Sequence, residues 1–388
     1  MSAEKYLAKH ITAIQPSGIR KFFDIVSEQP DAISLGVGEP DFETPQQMTA
    51  EGIRSLQEGR TFYTANAGLL PLRERISDYL QETMTVSYDP KTEIIVTVGG
   101  SEAIDLALRA FIEAGDEVII PQPSFVCYEP ITQLVGGVPV TIDLSAENDF
   151  QLTPEQLEAA ITTKSKVLIL SYPNNPTGGI MTKEALIKIA DVVKRHDLLV
   201  ISDEIYSELL YDEPFVSIAS LPGMRNRTIV VNGFSKSFAM TGWRLGYVAG
   251  YEPFISAMLK IHQYTIMAAP TVSQYAALEG LKDWHETIET MRLSYEERQN
   301  FLHHGLTQLG LPCYKAKGAF YLFPDIRQFG MSSEDFALQL LEQEKLAVVP
   351  GSAFGKSGEG FLRLSYAYSL AELKEALHRL GRFVATLS

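Results

Sequence analysis

Strand-length apolar runs alternate with segments of helical spacing through the middle of this chain. Runs rich in Val and Ile predict strands just before Gly99, at Glu117–Pro121, Val138–Asp143 and Lys166–Tyr172, from Leu198 to Asp203, and at Ile229–Val231. Around them, apolar positions at helical intervals predict helices over Leu70–Gln81, after Ser101 (through Ile104, Leu106, Ala107 and Leu108), over Pro154–Thr163 and over Lys183–His196. From Ile94 to Ala249 the alternation is that of an α/β fold: a mostly parallel sheet covered by helices on both faces. Long helical patterns follow at Glu252–Lys282 and Trp284–Leu309, then a strand at Gly318–Pro324 and a helix over Ser333–Lys345. An alternating strand at Phe361–Ala367 and a helix over Ala371–Leu387 close the chain. Residues 1 to about 30 read as an extended arm with a short helix.

The 388 residues can bury a sizeable core. Lys+Arg 33 against Asp+Glu 48 leaves a net charge of −15, which argues against nucleic acid or an anionic membrane as a partner. Cys127 and Cys313 form no disulfide framework, so a reduced, cytoplasmic setting is expected. The first ten residues lack the apolar core of a secretory signal, and no apolar run approaches the ~18 residues of a membrane span.

Ser101, Asn175, Asp203 and Lys236 each fall just after a predicted strand, where open α/β sheets bind their ligands. A lysine at the mouth of a buried strand loses solvation, which lowers its pKa and makes its amine a nucleophile for carbonyls. Gly99-Gly100-Ser101 opens a helix, so its free N–H groups can receive a phosphate; alternatively Ser101 is the helix N-cap. Asp203, buried at a strand end, either caps a following helix or serves a site, with the two readings even. Read locally, the Gly/Pro-rich stretch Ile33–Pro45 is a loop, Tyr63 a packing residue, Phe125 core and Arg363 a surface arginine on a strand. No Gly-x-Gly-x-x-Gly follows a strand, and Gly351–Ser357 is one residue short of a P-loop.

Ser235-Lys236 followed by Thr-Gly-Trp-Arg-Leu-Gly resembles the cofactor-lysine motif of class I and II aminotransferases, the aspartate aminotransferase family. Gly36-Val-Gly-Glu-Pro-Asp-Phe42, Tyr63 with Gly68 and Leu72-Arg73, Asn175-Pro-Thr-Gly178, Asp203-Glu-Ile-Tyr206 and Arg363-Leu-Ser365 fall in the family's order. Ser17–Phe22 and Ser202–Leu209 look like the bacterial aromatic and N-acetyl-diaminopimelate branch. The resemblance implies a fold type I transferase. Residues 1–45 would give an arm and part of a small domain, 46–284 a large cofactor-binding domain, and 285–388 a small C-terminal domain.

It further implies pyridoxal 5′-phosphate bound to Lys236 as a Schiff base. Asp203 would face the pyridine nitrogen, Tyr206 and Asn175 the phenolic oxygen, and Phe125 would stack on the ring. Gly100, Ser101, Glu102, Ser235, Arg244 and a neighbouring subunit's Tyr63 would anchor the phosphate in a homodimer with shared sites. Gly38, Asn175 and Arg363 would hold the substrate carboxylate. Where relatives carry Trp or Tyr, Phe125 is a departure, though any flat ring can stack. The implied activity moves an amino group from an L-amino acid (aspartate, an aromatic residue or N-acetyl-LL-diaminopimelate) to a 2-oxo acid such as 2-oxoglutarate by a ping-pong route. No metal is called for. The alternatives are a cystathionine β-lyase on the same fold and a non-catalytic, DNA-binding regulator, for which this acidic chain carries no basic module. Arg20 and Arg109 could meet a distal substrate carboxylate, but the reading that leads for both is a structural or exposed arginine.

Overall fold

A computed structural model describes residues 3–14, 16 and 31–387. Most of the predicted N-terminal arm, including Arg20, lies outside the described residues.

In chain order the strands are β1 (Ile33–Ser34), β2 (Ile94–Thr97), β3 (Glu117–Gln122), β4 (Val138–Asp143), β5 (Ser165–Ser171), β6 (Leu199–Asp203), β7 (Thr228–Gly233), β8 (Gly246–Ala249), β9 (Tyr321–Leu322), β10 (Leu346–Ala347), β11 (Val349–Pro350) and β12 (Leu362–Ser365). Seven of them form one sheet in the order β2-β8-β7-β6-β5-β3-β4. All its pairs are parallel except those of β8, which runs antiparallel to both β2 and β7.

The sheet is apolar on both faces because both faces are covered. Ile169, Ile201, Ile229 and Val248 pack with Ala103, Ile104 and Ala107 of the helix Gly99–Phe111 and with Met258 of the helix Glu252–Thr265. Facing the other way, Leu168, Leu170 and Val200 meet Leu186, Ile189 and Val193 of the helix Lys183–Arg195. Each such large side chain contributes roughly 1.5–3 kcal/mol on burial. That helix starts where Thr182 accepts the Ala185 N–H, the cap its sequence offers. A separate apolar cluster joins Leu302 and Leu306 of the helix Trp284–Gln308 to Phe336, Leu340, Leu373, Leu380 and the strands β9, β10 and β12.

Four readings change. The pattern at Glu252–Lys282 is two helices, Glu252–Thr265 and Thr271–Gly280, because Pro270 offers no N–H to continue a helix and Met267 takes φ +73. The strand expected over Gly318–Pro324 shrinks to Tyr321–Leu322: Ala319 has φ +57, and its N–H goes to the Leu209 carbonyl. Ile33–Ser34, read as loop, pairs in parallel with Leu346–Ala347. Arg363 is no surface residue: β12 is covered on both faces and the side chain is 3% exposed.

Register aligns the ends that matter. Ser171 is level with Asp203, and Asp203 with Val231. The segments leaving β5, β6 and β7 therefore emerge side by side, carrying Asn175, Asp203 and Lys236 into one cleft.

Candidate active site

The cleft holds about 370 Å³ and draws its walls from the loop at Gly38, the start of the helix Gly99–Phe111, the turn at Phe125, the segments leaving β5, β6 and β7, the stretch Thr241–Arg244, and Tyr321 and Arg363 of β9 and β12. Lys236 follows the end of β7. Its Nζ donates to the Gly38 carbonyl at 2.6 Å. Burial, with Arg363 and Arg244 adding to it, pushes the amine down to about 8 against the opposing pull of Glu39 and Asp203. An amine in that range keeps a minor neutral fraction near physiological pH, far larger than an ordinary lysine's, and that fraction can attack a carbonyl.

Asp203 ends β6 and is buried. The segment after it is a turn rather than a helix, so the N-cap reading fails; Oδ1 instead accepts the Ile205 N–H at 3.3 Å. Oδ2 lies 2.7 Å from the Tyr128 hydroxyl, which also lies 2.8 Å from Ser171 Oγ. Burial raises the carboxyl, while the Tyr128 and Ile205 hydrogen bonds and Lys236 oppose the rise. A carboxylate so placed is best stabilised by a cationic N–H entering the cleft.

Arg363 has no carboxylate partner among the described residues. Nη1 donates to Asn175 Oδ1 at 2.9 Å and Nη2 to the Gly36 carbonyl, while Nε is buried without a partner. The Tyr321 and Phe354 rings lie 4.6 and 4.8 Å from the guanidinium. Burial lowers this group below its usual value. An uncompensated buried guanidinium lining a cleft calls for an anion. Because Asn175 commits its oxygen to Arg363, its NH₂ is what it can offer the cleft.

Tyr206 and Tyr321 are both buried, with their hydroxyls 2.7 Å apart. Gly38 is required beside them, since a Cβ there would stand 2.6 Å from the Tyr321 hydroxyl.

The opposite wall suits an anion of another kind. The helix begins at Gly99 with Val98 as its N-cap, so Ser101 lies inside the first turn, exposed, and is not the cap. Val98 provides no capping side chain, and the first N–H groups remain available. Arg244, at φ +52, rests against this turn: a Cβ at Gly99 would come within 2.6 Å of its Nη2. Guanidinium, Ser101, Ser235 and the positive helix end line one pocket.

Phe125 lines the cleft edge-on to Tyr128, with ring centroids 6.0 Å apart. Glu102 points away from the cleft, bonded to Val98 N–H and His262. Tyr63 is 83% exposed and takes no part in this cleft within the chain. Arg109 is also elsewhere, paired with Asp105 at 2.7 Å. Among the described residues no cluster could hold a metal.

A buried amine with a lowered pKa, a buried acid able to face a ring nitrogen, and a cationic cradle are together the donor set that pyridoxal phosphate needs. The aminotransferase class I and II family model matches residues 30–380. This chain belongs to that family. Members of this aminotransferase family use pyridoxal phosphate, and this enzyme transfers amino groups. It is 53% identical to YugH of Bacillus subtilis (strain 168), named as an aminotransferase, across 98% of this chain and 98% of that protein. It is 46% identical to an aspartate aminotransferase of Pyrococcus abyssi (strain GE5 / Orsay), across 97% of each. The crystal structure of the aromatic aminotransferase from Pyrococcus horikoshii OT3 superposes with a TM-score of 0.91 at 46% identity, over 95% of this chain and 100% of that one. These relatives favour transamination over the cystathionine lyase reading. No helix among the described residues is long and apolar enough to cross a membrane.

Sequence reasoning missed Tyr128, Ser171 and Tyr321. Tyr128 contacts Asp203 across the sheet and is itself within hydrogen-bond reach of Ser171, and Tyr321 is separated from Tyr206 by over a hundred residues. No local pattern could reveal those pairings.

Proposed function

We propose that the enzyme takes aromatic L-amino acids as donors and 2-oxoglutarate as acceptor, with both half-reactions run at Lys236. The observation that carries this is the lowered amine of Lys236 sharing one cleft with the uncompensated Arg363. Aromatic donors are favoured because the cleft's cations among the described residues are Lys236, Arg244 and Arg363, to each of which the cofactor or the α-carboxylate already gives a role, which leaves none for a second carboxylate, whereas Val37 and the Tyr321 ring line the cleft without such a role. Aspartate or N-acetyl-LL-diaminopimelate is the second reading, supported by the relatives' names.

Bound pyridoxal phosphate supplies an aldehyde that joins amines and a ring that accepts the electrons of a broken Cα–H bond. The Gly100, Ser101 and Glu102 amides, Ser235 and Arg244 would hold its phosphate. Asp203 would keep the ring nitrogen charged, Tyr206 and Asn175 would donate to its phenolic oxygen, and Phe125 would face the ring. Arg363 forks onto the substrate α-carboxylate, with the Gly38 N–H and Asn175 beside it. Lys236 Nζ then removes the donor's Cα proton and, in the second half-reaction, returns a proton to Cα of the former oxo acid. One site serving both in turn gives ping-pong kinetics.

We also propose a homodimer. Phe62, Tyr63 and Tyr264 are 81%, 83% and 88% exposed. Their segments are tied together by Asn66 Nδ2 to the Met267 carbonyl and Thr271 Oγ1 to the Phe62 carbonyl, both 2.8 Å. A second copy covering this aromatic face would bring Tyr63 to the other subunit's phosphate cradle. With both cysteines free, we infer a cytoplasmic enzyme. A panel of amino donors with 2-oxoglutarate tests the substrate reading. Phenylalanine or tyrosine should lead, and a clear preference for aspartate would replace this reading with the second.

A further inference from the structure

We propose that His262 is a positioning residue for the phosphate cradle, acting through Glu102. This rests on the reading that the start of the helix Gly99–Phe111 receives the cofactor phosphate. Glu102 sits in that first turn, and its carboxylate reaches back to accept the Val98 N–H. Its other oxygen lies 2.6 Å from His262 Nδ1. An ionised carboxylate only accepts, so Nδ1 carries the hydrogen.

His262 is fully buried on the helix Glu252–Thr265, which packs along the cradle helix. Its Nε2 is buried with no hydrogen-bond partner among the described residues. The fold tolerates an orphaned ring nitrogen in order to use the other one. The backbone is fixed as well, since the His262 carbonyl accepts the N–H groups of Ile266 and Met267 at 2.9 and 3.0 Å. The imidazole is thus a rigid anchor reaching Glu102 from 160 residues away in the chain.

Such an anchor is needed because of charge. The first turn of a helix attracts any anion, its own carboxylates included. A freed Glu102 could swing toward the Ser101 end of the cleft, where Arg244 and the helix N–H groups wait. There it would compete with phosphate and repel it. Held by His262 and Val98, the carboxylate instead closes the turn from behind and leaves the cradle cationic.

The experiment strips the holoenzyme and titrates it with pyridoxal phosphate and, separately, with pyridoxal, which lacks the phosphate. Wild type, His262→Leu, His262→Asn and Glu102→Gln are compared, along with the double variant His262→Leu/Glu102→Gln. His262→Leu should weaken pyridoxal phosphate roughly tenfold and leave pyridoxal unchanged. His262→Asn, which keeps a donor at the Nδ1 position, should restore most of the affinity. In the Glu102→Gln background the leucine substitution should no longer matter, because the competing charge is gone. Equal weakening for both ligands, no weakening in His262→Leu, or persistence of the effect without Glu102's charge would each overturn the proposal. If His262→Leu fails to fold, His262→Asn and Glu102→Gln still decide it: a phosphate-specific loss of affinity in either would overturn the proposal. Wild type that binds both ligands equally would remove the cradle reading beneath it.

Discussion

Replacing Arg363 by lysine separates substrate grip from cofactor grip. The arginine's Nη1 is directed by Asn175 Oδ1 at 2.9 Å and its Nη2 by the Gly36 carbonyl, and the planar group lies against the Tyr321 ring. Those contacts hold the guanidinium in one plane, so that two parallel N–H groups can meet a carboxylate. Lysine keeps the charge but offers one nitrogen without that plane. The loss amounts to one charge-assisted hydrogen bond, about 1.5–3 kcal/mol, which lowers kcat/KM for amino donors roughly ten- to hundredfold. No atom of Arg363 belongs to the phosphate cradle, so the affinity for pyridoxal phosphate should stay within about twofold of wild type. Steady-state kinetics with phenylalanine and 2-oxoglutarate, read beside a cofactor titration, makes the comparison. A kcat/KM within threefold of wild type, or a parallel loss of cofactor affinity, would refute the reasoning.

With its amine near 8, Lys236 in the cofactor-free enzyme should react with carbonyl reagents at a rate that climbs as pH rises through about 8; an ordinary lysine would climb only near 10.5. Quantitative mass spectrometry of the labelled peptide reads the midpoint. Tyr128→Phe removes a hydrogen bond that lowers the Asp203 carboxyl, so its pKa rises further and the acid limb of the kcat profile moves to higher pH. An unmoved limb would show that Asp203 does not govern it. Gly38→Ala drives a methyl against the Tyr321 hydroxyl, 2.6 Å from the new Cβ, and overpacking of about 1–3 kcal/mol should raise KM for donors about tenfold with cofactor binding intact.

Much of the site could be read in advance because chemistry follows strand ends. Apolar runs locate β5, β6 and β7, and the residues leaving them, Asn175, Asp203 and Lys236, needed only the parallel register to meet. Pairings between distant segments could not be read. Arg363 looked like a surface residue on an alternating strand because nothing local announces that β9, β11 and the loop at Gly36 cover it. Nothing local marks Tyr128 and Tyr321 either, since the hydroxyl partners that make them polar members of the cleft come from β6 and from Tyr206. Ser101 and Glu102 exchanged expectations for a geometric reason. The helix starts three residues earlier than a Ser101 cap would place it, which leaves the glutamate to close the turn. Two-residue strands such as β1 are too short to carry any period.

The central claim is that one buried amine forms the covalent link to the cofactor. Borohydride reduction of the enzyme loaded with pyridoxal phosphate, followed by peptide mass mapping, tests it directly. One phosphopyridoxyl group should appear on Lys236, and Lys236→Ala should show neither the label nor transamination. A label on another lysine, or a Lys236→Ala enzyme with normal turnover, would contradict the account.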